Sequence, residues 1–479
     1  MTSELVYASA ADLAKWIKAR QVSPVEVTRT ILERIEASQP VLNAFITICS
    51  ERAMDEARQA EQAIMDDKPL GALHGIPFSV KDLVSTKDVR TTFGSAILKD
   101  NIPHADAVVV QRLRQAGGIL VGKTTTPEFG MSPMTQAPLF GRTRNPWRAD
   151  RSSGGSSGGA GAATAAGMAP LAVATDAGGS TRVPAACNGL VGFKQSLGMI
   201  PHDWAQDQFG NTSYVTPLTR TVYDTAMMLD VMAGPDERDP NTTNRPKPDF
   251  LAAVTDPSDL KDVRIGWRER LGNEVVAADV LKALADAVAA FGEAGATVIP
   301  AEHPFENVEP LWFTVITASG YAQYGKYLEK YRGIMCPTFV RQIDQAAHYT
   351  AEELYRGLLM RTTVYRSVQS WFDDVDIVIM PTLSRAALPI DHDHFANIEI
   401  DGQQVDTCRR AWYPYTLPFN LTGHPAVSLP CGWDSDGLPM GLQLVARPGQ
   451  DAFLLRVAAI FEKTRPWAHR RPNLPELDA

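Results

Sequence analysis

Hydrophobic positions along the chain repeat with two periods, one typical of helices and one of strands, and the two alternate throughout the sequence. The first clear helix begins with Ser23, Pro24 and Glu26, which supply an N-cap, a proline at the first helical position and a capping-box glutamate. Further helices are predicted at residues 51–65, 108–116, 279–294 and 452–463 and within 309–372, and strands at residues 43–48, 75–84, 119–121, 296–300, 376–380, 426–429 and 441–445. Interleaved strands and helices predict an α/β layer structure. Because no repeat, low-complexity tract or linker interrupts the pattern, we expect one domain over residues 1–479.

One stretch, residues 152–175, carries no charged side chain and is long enough to span a bilayer. It consists mostly of Gly, Ser and Ala, and its only large apolar side chains are Met168, Leu171 and Val173. Small uncharged residues suit a segment that packs closely inside a protein. We therefore predict no membrane span.

The composition is that of a globular protein, with 44% hydrophobic and 21% charged residues. A net charge of −9 gives no basic footprint for nucleic acid or an anionic membrane surface. The five cysteines are dispersed and form no C-x-x-C pair, which argues against a disulfide framework and a thiolate zinc site. Since the N-terminal segment also lacks the pattern of a signal peptide, we expect a cytoplasmic protein.

Two local motif matches lack the context that each motif needs. Residues 117–124 match the phosphate-binding loop G-x-x-x-x-G-K-[ST], but a predicted helix precedes Gly117 and a strand occupies the loop positions, so we expect a helix–turn–strand connection. Residues 154–158 match G-x-S-x-G, the nucleophile elbow of α/β-hydrolases, but a polar, proline-containing loop stands where the elbow needs a strand. An α/β-hydrolase-like serine esterase stays an alternative.

The nine histidines are scattered, and none belongs to an H-E-x-x-H motif. His392 and His394 stand with two aspartates in a polar stretch between a proline and a predicted strand. We expect a solvated loop there rather than a metal site, and no metal elsewhere.

Three segments carry residues suited to a nucleophilic site without histidine. Residues 74–82 place Lys81 at the end of an apolar strand, on the same face as Ser79. Residues 154–159 and 176–182 are rich in glycine and hydroxyl side chains. A serine nucleophile needs a base and prearranged oxyanion donors, and glycines allow successive backbone N–H groups to point at one spot.

A lysine can be that base only in its neutral form. With an ordinary pKa of about 10.4, about one lysine in a thousand is neutral near pH 7, so burial must disfavour the ammonium form by ~4 kcal/mol. An apolar strand that enters a core of small residues provides such a setting. Buried lysines are more often ion-paired, so Lys81 alone leaves both interpretations open.

Together the three segments resemble the amidase signature family. The resemblance covers most of the chain, from the helix at Ser23 through residues 419–430 and 441–445. Residues 154–159 and 176–182 correspond to the family's Gly/Ser-rich signature, with the spacing between Ser156 and Ser180 that the family pattern requires. By this resemblance Ser180 is the nucleophile, Ser156 relays its proton from a cis peptide bond with Gly155, and Lys81 is the base.

The resemblance also implies supporting residues. Oxyanion-hole N–H groups are expected from Ala177, Gly178, Gly179 and Ser180, supporting donors from Ser157 and Thr175, loop braces from Asp176 and Arg182, and substrate contacts from Met131 and Ser132. The implied fold is a single α/β/α sandwich around a mixed twisted sheet, with a catalytic core at about residues 70–220 and a helical, aromatic substrate-lining region at about 305–375. The implied reaction is acyl transfer from an amide to water, without metal or organic cofactor.

Two departures from the family pattern flank the turn-rich residues 201–215. Residues 194–199 read Lys-Gln-Ser-Leu-Gly-Met where the family commonly has Lys-Pro-Ser/Thr-x-Gly-Arg, and Thr216 stands where a glycine is usual. Neither departure touches the expected catalytic atoms. They leave the path of this loop and the shape of the pocket open.

Aromatic residues favour a bulky apolar or aryl amide as the substrate, with a carbamate or an ester as alternatives. The aromatic candidates are Trp204, Phe209, Tyr214, Trp312, Tyr321, Trp412 and Tyr415, of which we assign Trp204 and Phe209 to the substrate site. The sequence is more similar to bacterial amidases of aryl amides and oligoamides than to the transfer-RNA amidotransferase subunit, which is the main rival. A non-catalytic scaffold is a second rival, but Lys81, Ser156 and Ser180 are all present. We expect a small-molecule partner, no nucleic acid or membrane, and a monomer or a homodimer.

Overall fold

The chain forms fifteen strands and sixteen α-helices within residues 2–257, 259–301 and 303–474, which are the residues that this computed structural model describes. The strands are β1 (Phe45–Ile48), β2 (Pro77–Lys81), β3 (Ile119–Thr124), β4 (Gln136–Ala137), β5 (Gly141–Arg142), β6 (Leu171–Asp176), β7 (Val191–Lys194), β8 (Tyr214–Thr219), β9 (Arg264–Trp267), β10 (Thr297–Pro300), β11 (Ile377–Pro381), β12 (Asn397–Ile400), β13 (Gln403–Thr407), β14 (Ala426–Trp433) and β15 (Pro439–Ala446). The helices are α1 (Thr2–Tyr7), α2 (Ala10–Lys18), α3 (Pro24–Leu42), α4 (Ser50–Met65), α5 (Val108–Gln115), α6 (Gly158–Ala165), α7 (Arg182–Asn188), α8 (Val222–Met232), α9 (Phe250–Thr255), α10 (Ala278–Glu293), α11 (Glu309–Tyr324), α12 (Leu328–Tyr331), α13 (Pro337–Ala346), α14 (Ala351–Ser370), α15 (Leu417–Thr422) and α16 (Asp451–Thr464).

Eleven strands build one mixed sheet in the order β1-β3-β2-β6-β8-β7-β14-β15-β11-β9-β10. The pairs β3/β2, β2/β6, β11/β9 and β9/β10 are parallel, and the other neighbours are antiparallel. Two short hairpins, β4/β5 and β12/β13, lie outside this sheet.

Helices cover both faces of the sheet, because successive strand residues point to opposite sides. Along β11, Ile377 and Ile379 join the core that packs under α2, α5, α8 and α16, whereas Val378 and Met380 join the core on the other face. The predicted α/β/α sandwich around a mixed sheet is therefore confirmed. The single-domain division stays a prediction.

Helices with strong local signals form where the sequence predicts them. α3 begins at Pro24, and the Ser23 hydroxyl accepts a hydrogen bond from the Glu26 N–H group at 3.1 Å. The phosphate-loop match is the expected helix–turn–strand connection, because α5 precedes Gly117 and β3 follows it. The uncharged stretch at residues 152–175 folds into the buried helix α6 and most of the buried strand β6. Across the described residues, no helix is both long and apolar enough to cross a membrane.

Candidate active site

Lys81 ends β2 and brings its amine to a group of hydroxyls. The neighbouring parallel strand β6 carries Thr175, and the turn before α6 carries Ser156 and Ser157. Lys81 Nζ lies within hydrogen-bonding distance of Ser156 Oγ at 2.7 Å, Ser157 Oγ at 2.8 Å and Thr175 Oγ1 at 2.8 Å. The structure thus brings together one predicted base, one predicted relay serine and both predicted supporting hydroxyls.

Burial of Lys81 favours its neutral form. The side chain is 0% exposed, and this loss of solvation holds its pKa well below the ordinary value, although the charge of Asp176 acts in the opposite direction. All three hydrogen-bond partners of the amine are uncharged hydroxyls.

The hydrogen bonds of this cluster are compatible with a proton transfer from Ser156 to Lys81. The Ser157 hydroxyl donates to the Thr175 backbone carbonyl at 3.1 Å, so its oxygen is an acceptor toward Lys81. A neutral amine has two N–H groups and one lone pair. That lone pair can receive the proton of Ser156, whose hydroxyl has no other hydrogen bond to a described residue.

Ser156 follows a cis peptide bond with Gly155, as the family resemblance implies. Gly155 packs against residues 132–134, where a Cβ atom would come within 2.7 Å of the Ser132 carbonyl oxygen. A side chain at this position is excluded by the backbone of the neighbouring segment. The close approach places the Ser132 backbone against Gly155, the residue that precedes Ser156.

Ser180 borders the same cavity as Ser156 and Thr175 and is half-buried. Its backbone carbonyl accepts a hydrogen bond from the Ser157 N–H group at 3.1 Å, which ties the two serine segments together. Its hydroxyl makes no hydrogen bond to a described residue. The contact between Ser156 and the Ser180 hydroxyl that a proton relay needs is therefore not formed in this structure.

One of the four predicted oxyanion donors points elsewhere. The Gly179 N–H group donates to the Asp176 carboxylate at 2.7 Å, so in this arrangement it is committed to the loop itself. The prediction for Gly179 is wrong for this conformation, because Asp176 binds the N–H group that was expected to face the substrate. The N–H groups of Ala177, Gly178 and Ser180 make no hydrogen bond to a described residue, and all three residues border the cavity.

Trp312 and Thr416 hold two successive peptide planes of this loop. Trp312 Nε1 donates to the Ala177 carbonyl at 2.8 Å, and Thr416 Oγ1 donates to the Gly178 carbonyl at 2.7 Å. Because the C=O and N–H groups of a trans peptide point in opposite directions, these bonds also orient the N–H groups of Gly178 and Gly179. A Cβ atom at Gly178 would lie 2.5 Å from the Trp312 ring, and one at Gly179 2.3 Å from Thr416 Oγ1, so both positions require glycine.

A buried ion pair braces the loop from below. Arg182 binds the Asp176 carboxylate through two hydrogen bonds, of 2.8 and 3.0 Å, and neither side chain is exposed. Although burial alone would raise it, the adjacent Arg182 charge and the Asn420 amide hold the pKa of Asp176 well below its usual range. Arg182 also donates to Asn420 Oδ1 at 2.6 Å and Gln443 Oε1 at 2.8 Å. These two amides were not singled out from the sequence, although both stand in segments that carry the family resemblance.

The cavity beside Ser180 has a volume of about 650 Å³ and a mixed wall that includes six aromatic residues. Its aromatic lining residues are Phe93, Phe129, Trp204, Trp312, Tyr324 and Tyr413. Met131, Ser132 and Trp204 line it, as predicted from the sequence.

Phe209 does not line the cavity, and its assignment to the substrate site is wrong. The side chain is 88% exposed. Asp207 accepts hydrogen bonds from the N–H groups of Phe209 and Gly210, which form a tight turn with the phenyl ring directed to solvent. Of the other aromatic candidates, Tyr214, Trp412 and Tyr415 are buried in the core and Tyr321 lies on the surface.

Charged side chains are nearly absent from the wall of this cavity. Among the described residues that line it, Asp207 is the only Asp, Glu, Lys or Arg, and it is exposed. His202 and His394 also line the cavity. Burial lowers the pKa of His202 to about 4 and that of His394 well below its usual range, so both rings are neutral at pH 7.

The position of His394 corrects the expected solvated loop. Its side chain is 4% exposed, because Arg409 and Gln342 pack around the ring. In the part of the chain that the structure describes, no group of three or more His, Cys, Asp or Glu side chains could hold a metal ion.

Comparisons with known proteins agree with this geometry. A family model described as Amidase matches residues 26–455. An acylamidase from Rhodococcus erythropolis is 37% identical over 470 residues, covering 98% of each chain, and a glutamyl-tRNA(Gln) amidotransferase subunit from Thermosynechococcus vestitus is 32% identical, covering 97% of this chain and 99% of the other. Among solved structures, a bacterial aryl acylamidase of the amidase signature enzymes superposes with a TM-score of 0.88 at 30% identity, covering 96% of this chain and 97% of the other. A 6-aminohexanoate cyclic dimer hydrolase superposes with a TM-score of 0.87 at 28% identity, covering 98% and 99%.

Proposed function

Because the chain belongs to the amidase family and is a hydrolase of carbon–nitrogen bonds other than peptide bonds, we propose that it cleaves bulky apolar or aryl amides through an acyl-enzyme on Ser180. The observation that carries the proposal is the 2.7 Å contact between Lys81 Nζ and Ser156 Oγ beside a cavity that Ser180 also lines. An uncharged amine in this position is a base for a hydroxyl, and a half-buried serine nearby is an accessible nucleophile.

The first half-reaction forms the acyl-enzyme. Ser180 Oγ attacks the amide carbonyl carbon, its proton passes to Ser156 Oγ, and the proton of Ser156 passes to Lys81 Nζ. Rotation of a serine side chain has to form the Ser156–Ser180 hydrogen bond for this step. The free N–H groups of the 177–180 loop stabilise the oxyanion, and such donors contribute about 3–4 kcal/mol each in enzymes.

The first half-reaction is complete when the carbon–nitrogen bond breaks, as the Lys81 ammonium returns its proton through Ser156 to the leaving nitrogen. The second half-reaction restores the enzyme. Water then attacks the acyl carbon, with the same neutral lysine accepting its proton through Ser156. The bond between the acyl carbon and Ser180 Oγ then breaks, and the Lys81 ammonium returns its proton through Ser156 to Ser180 Oγ. This step releases the carboxylic acid and restores the neutral lysine, with water as the only reactant besides the amide.

The cavity wall supports an uncharged substrate with an aromatic or bulky apolar part. Six aromatic side chains line it, and no Lys or Arg of the described chain does. The similarity to an acylamidase and to an aryl acylamidase agrees with this choice. Carbamates and esters undergo the same acyl transfer and are secondary candidates.

An amidotransferase component is the second candidate function, because relatives of that name are 31–35% identical to this chain. Against it, a free amino acid such as glutamine carries a carboxylate, and no cationic side chain of a described residue lines the cavity to bind one. We propose that the chain acts alone on a small molecule, without nucleic acid or membrane. Its five free cysteines agree with a cytoplasmic location.

A substrate panel tests the proposal. The purified chain is assayed for release of amine or alcohol from anilides, aliphatic amides, peptide amides, carbamates and esters, and for release of ammonia from glutamine. We expect the highest kcat/KM for anilides. Glutamine hydrolysis without anilide hydrolysis would overturn the proposal in favour of the amidotransferase function.

A further inference from the structure

We propose that His394 and Ser132 form a polar subsite in the cavity wall that binds an uncharged hydrogen-bond acceptor of the substrate, such as an ether, carbonyl or nitro oxygen. This inference rests on the proposed amide hydrolysis, since it concerns which amides the same cavity selects. Both residues line the cavity, and they contact each other, with Ser132 Oγ 3.4 Å from His394 Nδ1.

Arg409 determines which nitrogen of the His394 ring carries the proton. Arg409 Nη1 lies 3.2 Å from His394 Nε2, and a guanidinium can only donate hydrogen bonds, so Nε2 is an acceptor. Arg409 is itself held by Glu309, whose carboxylate accepts from Arg409 Nε at 2.8 Å. The neutral ring therefore carries its proton on Nδ1 and donates from that side.

Hydrogen-bond donors outnumber acceptors on the Nδ1 side of the ring. Gln342 Nε2 lies 3.5 Å from His394 Nδ1 and donates to the Met131 carbonyl at 2.7 Å, which fixes the amide with its nitrogen toward the histidine. Ser132 Oγ already accepts from the Met134 N–H group at 3.1 Å. The Ser132 hydroxyl proton has no acceptor among the described residues. An additional acceptor atom from a ligand would satisfy this excess of donors.

The surroundings favour an uncharged acceptor. Glu309 pairs with both Arg409 and Arg410, and no Lys or Arg among the described residues lines the cavity, so a carboxylate in the subsite would have no counter-ion in the cavity wall. The Ser132 backbone lies against Gly155, the residue that precedes Ser156, and Ser132, His394 and the reactive serines line the same cavity.

Matched substrate pairs test the subsite. Methoxyacetanilide is compared with butyranilide, and 4-methoxyacetanilide with 4-ethylacetanilide, so that an ether oxygen replaces a methylene group in either the acyl or the amine part. In His394→Phe we expect the ether-to-methylene ratio of kcat/KM to fall about fivefold relative to the unmodified chain in at least one pair, equivalent to ~1 kcal/mol for a buried hydrogen bond. The difference in intrinsic reactivity between the two substrates is the same for both enzymes, so it cancels in this double ratio.

Three further variants separate the subsite from a structural effect. His394→Asn retains an N–H group at the position of Nδ1 and should restore the ratio. Ser132→Ala removes the second donor and keeps the hydrogen bond between Arg409 and His394. It should lower the ether-to-methylene ratio of kcat/KM even if His394→Phe does not fold. His424→Asn is the matched control, because His424 is equally buried but does not line the cavity.

Two outcomes are decisive. Double ratios within twofold of unity in both pairs, for both His394→Phe and Ser132→Ala, would overturn the subsite although the amides are hydrolysed. Absence of turnover with every amide would instead overturn the proposed function. In that case the dissociation constants of the same pairs, measured by calorimetry, test the subsite by the same ratio.

Discussion

Replacing Lys81 by methionine removes the amine from the site and keeps an unbranched side chain of similar length in the same space. The Lys81 side chain is fully buried, and its three hydrogen-bond partners are the hydroxyls of Ser156, Ser157 and Thr175. If this amine takes the proton of the nucleophile, turnover must collapse in Lys81→Met. The fold should survive, because no charged partner is left unpaired among these contacts.

The expected magnitudes differ for activity and stability. Three lost hydrogen bonds of about 0.5–1.5 kcal/mol each lower the free energy of unfolding by roughly 2–4 kcal/mol, less than the total of about 5–15 kcal/mol for a typical domain. Loss of a general base lowers kcat by about 10²–10⁴. The activity loss therefore cannot be explained by a smaller folded fraction.

Lys123 offers a matched control on the neighbouring strand. It is equally buried, and its Nζ donates to the Val84 carbonyl at 2.5 Å, Thr86 Oγ1 at 2.7 Å and Thr91 Oγ1 at 2.9 Å. Lys123 pairs with Val80, so it lies on the opposite face of the sheet from Lys81. Lys123→Met should show a similar shift of the urea midpoint and retain turnover of an anilide. A rate above one tenth of normal in Lys81→Met, or an equal loss of rate in Lys123→Met, would refute the role of Lys81 as the base.

The low pKa of Lys81 determines in which direction kcat/KM and stability change with pH. Burial holds its pKa well below the ordinary value, and the neutral form is the base, so kcat/KM should rise with pH and level off above that pKa. In stability the same shift means that the unfolded chain binds this proton more tightly. The cost of burying Lys81 is thus complete below the folded-state pKa and declines as the pH rises toward the unfolded value of about 10.4. The urea midpoint of the unmodified chain should therefore rise relative to that of Lys81→Met as the pH increases over this range.

Three other perturbations address the nucleophile, the loop and its brace. A fluorophosphonate probe should label Ser180, and peptide mapping that places the adduct on Ser156 would favour the elbow interpretation instead. Trp312→Phe retains an aromatic ring but loses the indole N–H group that binds the Ala177 carbonyl, so kcat should fall about fivefold with a smaller change in KM. A change in KM alone would show that Trp312 only binds substrate. Asp176→Asn leaves the Arg182 charge buried without its partner and should lower the free energy of unfolding by about 3–5 kcal/mol, a value that an unchanged urea midpoint would contradict.

Local signals in the sequence were sufficient for the capped helices and for the strand that carries Lys81. Ser23 caps α3 through a contact with a residue three positions away, which a sequence pattern can register. The family resemblance supplied the assembly of Lys81 with Ser156, because the pairing of β2 with β6 that unites them is long-range.

Features that depend on long-range contacts or unusual strands were not predictable. β6 lies within the Gly/Ala/Ser-rich stretch, and β8 contains Pro217, so neither shows the β-branched alternation of a typical strand. The direction of the Gly179 N–H group depends on Asp176 and on Thr416, which lies more than two hundred residues away. Phe209 was misassigned because an aromatic residue in a polar loop has the same local pattern whether it faces a pocket or solvent.

The Arg182 guanidinium binds residues from the C-terminal part of the chain, so we expect activity only after that part has been synthesised and folded. Its partners Thr416, Asn420 and Gln443 belong to the last strands and helices to leave the ribosome, whereas Ser180 and Lys81 emerge early. A nascent or truncated chain that ends before Gln443 should hold a complete set of reactive groups and still be inert. Two separately expressed fragments, divided between these regions, should become active only after they associate.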